Sequence, residues 1–89
     1  MICRTYDVPG ATVDQYDQVV EKVGMEKPEG VHAHIAMKTD DGFRVVEVWD
    51  SADAIDRYMQ SGLGDAMQQA NLPQPTITDH QVHAFDWAD

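Results

Sequence analysis

The ten residues from Gly42 to Ser51 (GFRVVEVWDS) constrain the fold more than any other stretch of the chain. Valines occupy adjacent as well as alternating positions, which is typical of a central strand that is buried on both faces. Glu47 and Trp49 interrupt this apolar run, and Asp50 and Ser51 follow it as residues that commonly begin a helix. A carboxylate and an indole inside such a strand need a structural partner or a functional role.

Three further segments are predicted strands. Apolar and polar residues alternate over 2–8 and 31–38, and the Asp-Gly pair that follows the second segment is a favoured hairpin turn. Strict alternation over 31–38 would put His32 and His34 on the same face. Two prolines then precede residues 76–87, which are predicted to form a last strand long enough to reach beyond its own sheet.

Two segments carry helix signals. Thr12 and Gln15 match a capping box, and the apolar positions that follow have helical spacing until Gly24. Ser51 is the predicted cap of a second helix that continues to about residue 70. Gly62 and Gly64 should weaken or break this helix in its middle.

The resulting order is strand, helix, strand, strand, helix, strand. In a small domain this order most often forms a four-stranded antiparallel sheet with both helices on one face, the α+β ferredoxin-like βαββαβ arrangement. We expect one domain over residues 1–89, near the size at which a lone core buries too little surface for comfortable stability. Helices on one face leave the other face of the sheet bare. A second copy of the sheet is the simplest cover, so we expect a homodimer.

Composition limits the possible partners. Sixteen acidic and six basic residues give a formal net charge of −10. Neither nucleic acid nor an anionic membrane surface is therefore an expected partner. The single Cys3 excludes an internal disulfide framework and fits a reducing compartment. No segment approaches the roughly 20 apolar residues of a membrane span, and no basic leader precedes an apolar run, so a cytoplasmic location is expected.

Several stretches resemble a known family. They are TYDVPGAT from Thr5, GVHAH from Gly30, the run from Gly42 to Ser51, and the closing His-rich strand. Together they are similar to small actinobacterial proteins of the dimeric α/β-barrel superfamily, and most similar to its antibiotic-biosynthesis-monooxygenase-like proteins. The resemblance covers nearly the whole chain. It implies a homodimer whose two sheets pack into a barrel, with a pocket in each subunit between sheet and helices.

The activities of that superfamily carry over only in part. Its characterised members include cofactor-independent oxygenases of aromatic polyketides, polyketide cyclases, haem-degrading enzymes and lactone isomerases. Trp49 matches the pocket tryptophan at the end of the third strand, but the Asn that the oxygenases place four residues earlier is Val45 here. The second helix, from Ser51 to Ala70, lacks the iron-binding His of the haem degraders. The resemblance therefore favours an enzyme without a cofactor.

His34 is the candidate catalytic residue. It matches the His of the family's second strand, and an imidazole that titrates near neutral pH can act as a general acid or base. His32, two residues away, is a candidate substrate contact or an ordinary polar residue of an edge strand. The two could in principle share a metal with His80 or His83. We predict no metal site, because the chain has no established metal-binding pattern.

The other candidate substrate contacts are aromatic or charged. Trp49, Tyr58 and Tyr6 could hold a planar aromatic ligand by stacking. Arg4 and Glu47 should lie on neighbouring central strands, where an ion pair between them would explain two charges in apolar company, and a role in the pocket is also open. Four methionines could form a deformable lining or ordinary core: Met25, Met37, Met59 and Met67.

We therefore expect a homodimeric, cofactor-free enzyme that acts on an aromatic or polyketide-like small molecule of natural-product metabolism, as an oxygenase, cyclase or isomerase. The alternative is a non-catalytic homodimer in which the same pocket only binds a small molecule. A third possibility is a structural dimer with a filled interior. A cavity between the sheet and the helices would separate the first two from the third.

Overall fold

The computed structural model describes residues 1–24 and 27–87, so Met25 lies outside the described residues. The strands and helices follow the predicted order. The strands are β1 (Ile2–Pro9), β2 (Val31–Thr39), β3 (Gly42–Trp49) and β4 (Thr76–Gln81). The helices are α1 (Val13–Val23), α2 (Ala52–Tyr58) and α3 (Gly64–Gln69), with the kinked segment Met59–Leu63 between the last two.

The sheet is antiparallel throughout, with strand order β2-β3-β1-β4. This order confirms the ferredoxin-like α+β fold and the central position of β3. Alternate residues of β3 are buried, beginning at Phe43 and ending at Trp49. They pack against side chains of the helices, including Tyr16 and Ile55. In the single chain β3 is therefore buried on one face only, whereas its sequence predicted burial on both.

Helix starts and breaks follow local sequence. Thr12 caps α1: its hydroxyl accepts a hydrogen bond from the Gln15 amide at 3.2 Å, and the Gln15 side chain accepts one from the Thr12 amide at 2.9 Å. This is the reciprocal capping box that the sequence predicts. Ser51 caps α2 by accepting from the Ala54 amide. The predicted break occurs at Gly62, whose φ of +115° is not helical.

The prediction of strict alternation in β2 is wrong. A register shift lies between Val31 and Ala33, where one extra residue is inserted into the strand. Val31 pairs with Trp49 and His34 pairs with Glu47, so both lie on the buried face of the sheet. Because alternation does not continue through a bulge, His32 does not share the position of His34.

The prediction that the last strand reaches residue 87 is also wrong. β4 pairs only with β1 in the described part of the chain, and the first residue of β1, Ile2, is already the partner of Gln81. One more backbone hydrogen bond, from Val82 to Met1, ends the ladder. Trp87 then lies 96% exposed. The strand ends where its partner ends.

The apolar interior is divided into three clusters. One lies between the sheet and the start of α1, the second joins the end of β3 to α2, and the third joins α1 to α3. Trp49 is the most completely buried large side chain, at 0% exposure. No helix among residues 1–24 and 27–87 is both long enough and apolar enough to cross a membrane.

Gly30 and Gly62 allow a test of how the residue that precedes β2 packs on α2. Both have positive φ, +92° and +115°, but a Cβ at Gly30 would lie 2.7 Å from the Ala54 Cβ, whereas one at Gly62 would meet no described atom within 4 Å. We expect Gly62→Ala to lower the free energy of unfolding by about 1 kcal/mol, the cost of left-handed backbone. Gly30→Ala should cost about 2 kcal/mol or more, because the clash adds to that strain.

Urea unfolding followed by circular dichroism, at one protein concentration, measures both losses. In an Ala54→Gly background the difference between the two variants should shrink, because the clashing methyl group is gone. Equal losses in the original background would contradict the close packing of Gly30 on α2.

Candidate functional site

A cavity of about 350 Å³ lies between the sheet and the helices. Its walls are mainly apolar and aromatic with a few polar groups, which is the usual character of a small-molecule site. This cavity contradicts the possibility of a filled interior. The polar-tipped side chains of the lining are those of Tyr6, Tyr16, Lys27, His34, Glu47, Trp49 and Tyr58, and among the apolar ones are Val31, Phe43, Val45, Leu63, Met67 and Leu72.

Glu47 is the buried carboxylate of this site, with only 4% of the residue exposed. The indole Nε1–H of Trp49 donates to its Oε1 at 3.0 Å, and Nδ1 of His34 lies 3.0 Å from its Oε2. Strand geometry brings the three together, because Trp49 is two residues along the same face and His34 is the cross-strand partner of Glu47. Two donors compensate the carboxylate for its loss of water.

The predicted ion pair between Arg4 and Glu47 does not form, although β1 and β3 pair these residues directly. Arg4 instead makes a bidentate contact with Asp79 of β4, at 2.8 and 2.9 Å. This hydrogen bonding raises the pKa of Arg4 and lowers the pKa of Asp79. Both oxygens of Glu47 already have donors, and Asp79 is more exposed, so the guanidinium keeps more of its hydration beside Asp79. Arg4 is not part of the cavity lining.

His34 connects Glu47 to Tyr16 of α1. The carboxylate can only accept, so in the neutral imidazole the hydrogen-bond network assigns the proton to Nδ1 and leaves the lone pair on Nε2. The Tyr16 hydroxyl lies 2.9 Å from that Nε2. The Tyr16 ring stacks on Phe43, with centroids 4.7 Å apart and planes inclined by 21°. A continuous hydrogen-bonded chain therefore runs Trp49, Glu47, His34, Tyr16.

Three tyrosines around the cavity lie in the field of Glu47. Burial and then the charge of Glu47 together raise the pKa of Tyr6 to about 12, against a lowering by Arg4. Burial and then Glu47 also raise the pKa values of Tyr16 and Tyr58. All three phenols therefore stay protonated at neutral pH. Tyr16 directs its proton to Nε2 of His34, and Tyr6 directs its proton to the sulfur of Met59.

The predicted aromatic contacts Trp49, Tyr58 and Tyr6 all line the cavity. Trp49 and Tyr58 lie against each other, with ring centroids 5.3 Å apart and planes inclined by 39°. A ring held between two others needs roughly 7 Å, twice a carbon–carbon contact distance. Trp49 and Tyr58 therefore form one wall of the cavity, and a flat ligand would lie against that wall instead of between the two rings.

His32 lies outside the cavity lining. Its Nε2 pairs with Asp50, and its ring meets the ring of Phe85 edge-on at 6.2 Å between centroids. His32 lies within the bulge and His34 beyond it, and the two have separate partners. Nowhere in the described residues do three or more His, Cys, Asp or Glu side chains come together in a way that could hold a metal ion.

The predicted methionines also differ in whether they line the cavity. Met67 lines the cavity, Met59 accepts a hydrogen bond from the Tyr6 hydroxyl at 3.6 Å, and Met37 is 36% exposed on the opposite face of the sheet. Only Met67 is therefore a lining residue among the described ones of the predicted set.

Sequence reasoning missed Tyr16 and Phe43 as site residues. Periodicity predicts Tyr16 only as a member of the apolar stripe of α1, the helix face that packs on the sheet. The available signal was its hydroxyl, since the other members of that stripe are valines. Phe43 carried no separate signal, because a phenylalanine in a central strand is ordinary core.

No protein-family model matches the sequence, and no curated protein matches it. Among solved structures, a proposed antibiotic biosynthesis monooxygenase from Deinococcus radiodurans matches with a TM-score of 0.70 and 15% identity, over 96% of this chain and 95% of that one. A proposed antibiotic biosynthesis monooxygenase from Chloroflexus aurantiacus matches with a TM-score of 0.70 and 15% identity, over 100% of both chains.

A third solved structure is SnoaB, a cofactor-independent oxygenase from Streptomyces nogalater. It matches with a TM-score of 0.64 and 15% identity, over 97% of this chain and 94% of that one. The chain therefore shares its fold with these antibiotic-biosynthesis-monooxygenase-like structures. The resemblance stated from the sequence is confirmed at the level of the fold.

Replacing Glu47 by Gln should reverse the tautomer of His34. The indole of Trp49 can only donate, so the Gln carbonyl must face Trp49 and the Gln NH₂ must face His34. His34 would then accept at Nδ1 and carry its proton on Nε2. Long-range ¹H–¹⁵N NMR at a pH where the imidazole is neutral distinguishes the two tautomers, and His32, His80 and His83 serve as internal controls. A proton that stays on Nδ1 of His34 would contradict the geometry around Glu47.

Proposed function

We propose that this chain is a cofactor-independent small-molecule enzyme whose chemistry begins with removal of a proton from an aromatic or polyketide-like ligand in the cavity. The observation that carries the proposal is the hydrogen-bonded chain from Trp49 through Glu47 to His34, which meets a largely apolar cavity of about 350 Å³. The likeness in fold to SnoaB, a cofactor-independent oxygenase, supports it.

His34 is the proposed general base. Loss of a proton from a C–H or O–H group of the ligand breaks that bond, leaves its electron pair on the ligand as an enolate or phenolate, and ends with a proton on Nε2. The imidazolium that results donates from Nδ1 to Glu47, and the carboxylate stabilises its charge. Glu47 also holds the ring in the tautomer in which Nε2 is the acceptor, so Glu47 is a positioning residue.

The phenols and the aromatic wall are the proposed ligand contacts. An oxyanion that forms in the cavity is stabilised by hydrogen-bond donors, and the protonated hydroxyl of Tyr58 is such a group. Tyr6 is a second, because a thioether sulfur is a weak acceptor and its hydroxyl can turn from Met59 to the oxyanion. Trp49 and Tyr58 supply a flat wall for a planar ligand. Oxygenation, cyclisation and isomerisation can each proceed from such an anion. We propose that the natural ligand belongs to this class of natural-product chemistry, and we leave Arg4 and His32 outside the site.

Deuterium exchange into 2-tetralone, a fused aromatic ketone with acidic C–H bonds, tests the proton step without knowledge of the natural ligand. We expect the protein to accelerate exchange in D₂O, followed by NMR, and His34→Gln to slow the catalysed rate by roughly 10²- to 10⁴-fold, the usual contribution of a general base. His80→Gln is the matched control, because His80 is an exposed histidine of β4 outside the cavity lining. It should leave the rate unchanged.

Binding is measured separately in the same protein. Trp87 is 96% exposed, so Trp87→Phe leaves the buried Trp49 as the reporter of ligand in the cavity. Quenching of Trp49 by 2-tetralone without any acceleration of exchange would contradict the enzyme proposal and favour a protein that only binds a small molecule.

We propose further that two copies associate through the outer face of the sheet, the face opposite the helices. Ile35 and Met37 of β2 are 54% and 36% exposed there, and Val46 and Val48 of the central strand β3 are only partly covered. Apolar side chains in the middle of an exposed sheet are typical of an interface. A homodimer through this face would also add buried surface to a domain of only 89 residues.

Val46→Glu should turn the dimer into a monomer, because it introduces a charge at the centre of that face. Val13→Glu is the matched control. Val13 is also an exposed valine, but it lies at the start of α1, where a carboxylate favours the helix N-terminus. Light scattering after size-exclusion chromatography at micromolar concentration gives the masses. A wild-type monomer would contradict the proposed dimer, as would a Val46→Glu dimer.

A further inference from the structure

Tyr16 and His34 both line the cavity, and the Tyr16 hydroxyl lies 2.9 Å from Nε2 of His34. We propose that the Tyr16 hydroxyl, and not His34 itself, takes the proton from the ligand while it passes its own proton to Nε2 of His34. This relay rests on the proposed function, and it assigns to Tyr16 the part of the catalytic residue that touches the ligand.

The first support is the occupation of Nε2. A neutral imidazole has one lone pair available for hydrogen bonding, and it lies in the ring plane. With Nδ1 held by Glu47 at 3.0 Å, that lone pair is on Nε2, and the Tyr16 hydroxyl lies 2.9 Å away. A ligand proton cannot reach the same lone pair while Tyr16 keeps this position.

The second support is that Tyr16 is held in place. Its ring stacks on Phe43 with centroids 4.7 Å apart, and its helix begins at the capping box of Thr12 and Gln15. Tyr16 lines the cavity, so its oxygen can accept a proton from a bound ligand while it donates to His34. Burial and the charge of Glu47 raise the pKa of Tyr16, which keeps the hydroxyl protonated and therefore donating in the resting state.

The proposed step is balanced. The ligand C–H or O–H bond breaks and its proton goes to the Tyr16 oxygen, while the electron pair stays on the ligand. The original Tyr16 proton goes to Nε2 of His34. The products are a ligand anion, a neutral tyrosine and an imidazolium that donates to Glu47, so two protons move and no oxidant or reductant is needed.

Tyr16→Phe separates the relay from direct transfer to His34, since it keeps the ring stacked on Phe43 and removes only the hydroxyl. If Tyr16 relays the proton, exchange into 2-tetralone should fall by roughly 10²-fold or more, while the dissociation constant measured through Trp49 changes less than about threefold. If Tyr16 only shields Nε2, exchange should stay equal or become faster, because Nε2 is then open to the ligand. That result would overturn the relay.

A second variant keeps the test independent of the stability of Tyr16→Phe. Incorporation of 3-fluorotyrosine at position 16 retains the ring and a hydroxyl that gives up its proton more readily. The relay predicts that this protein has substantial exchange activity whose rate differs severalfold from wild type, and a rate identical to wild type would overturn it. Release of tritium from C1 of labelled 2-tetralone should also be slower in D₂O than in H₂O and should fall linearly with the deuterium fraction, because the Tyr16 hydroxyl proton is the one solvent-exchangeable proton in motion. A rate that is the same in both solvents would contradict the relay.

Failure of the relay and failure of the proposed function give different results. A wild-type protein that binds 2-tetralone but never accelerates exchange overturns both. Exchange that is lost in His34→Gln and kept in Tyr16→Phe overturns only the relay and leaves His34 as the direct base. Trp87 is exposed and remote from the site, so Trp87→Phe should leave the exchange rate unchanged in wild type and in each variant.

Discussion

The buried carboxylate of Glu47 organises the interior of this protein. A carboxylate at 4% exposure is tolerated only where donors replace water, and here the donors are the indole of Trp49 and the imidazole of His34. Their positions follow from the sheet, one along the strand and one across it. Removing either donor would leave a buried charge with half of its hydrogen bonds, so the same contacts that stabilise the fold also hold His34 in one tautomer.

Local sequence signals predicted the architecture well because they involve residues close in the chain. The capping box at Thr12, the hairpin turn from Thr39 to Gly42 and the break at Gly62 each depend on the geometry of a few consecutive residues, and each is confirmed. The turn residues are Asp40 and Asp41, and Gly42 is already the first residue of β3. The choice of partners depends on the whole fold. β1 is a central strand with a neighbour on each side. Arg4 pairs with Asp79 on β4 and not with Glu47 on β3, because the guanidinium keeps more of its hydration beside Asp79 and both oxygens of Glu47 already have donors.

The sequence predicted only those site residues that interrupt a strand pattern or match the family it resembles. Glu47 and Trp49 were identified from the pattern of the third strand and His34 from the family resemblance, and all three line one cavity. Tyr16 enters from a helix far away in sequence, and a bulge with no local signal separates His32 from the cavity. The place of Tyr16 and the place of the bulge depend on how α1 and β2 approach β3. That approach is set by tertiary packing and is not encoded in any short segment.

The two faces of β3 connect the proposed chemistry with the proposed dimer. Val46 and Val48 alternate with Glu47 and Trp49, so the strand presents an apolar surface outward and the carboxylate and indole inward. An interior divided into three clusters around a cavity of about 350 Å³ has less packing to stabilise it than a filled core of the same size. A second sheet against the outer face would compensate for that loss, and it would do so on the strand that positions His34 through Glu47. The dimer and the active cavity would then depend on the same eight residues.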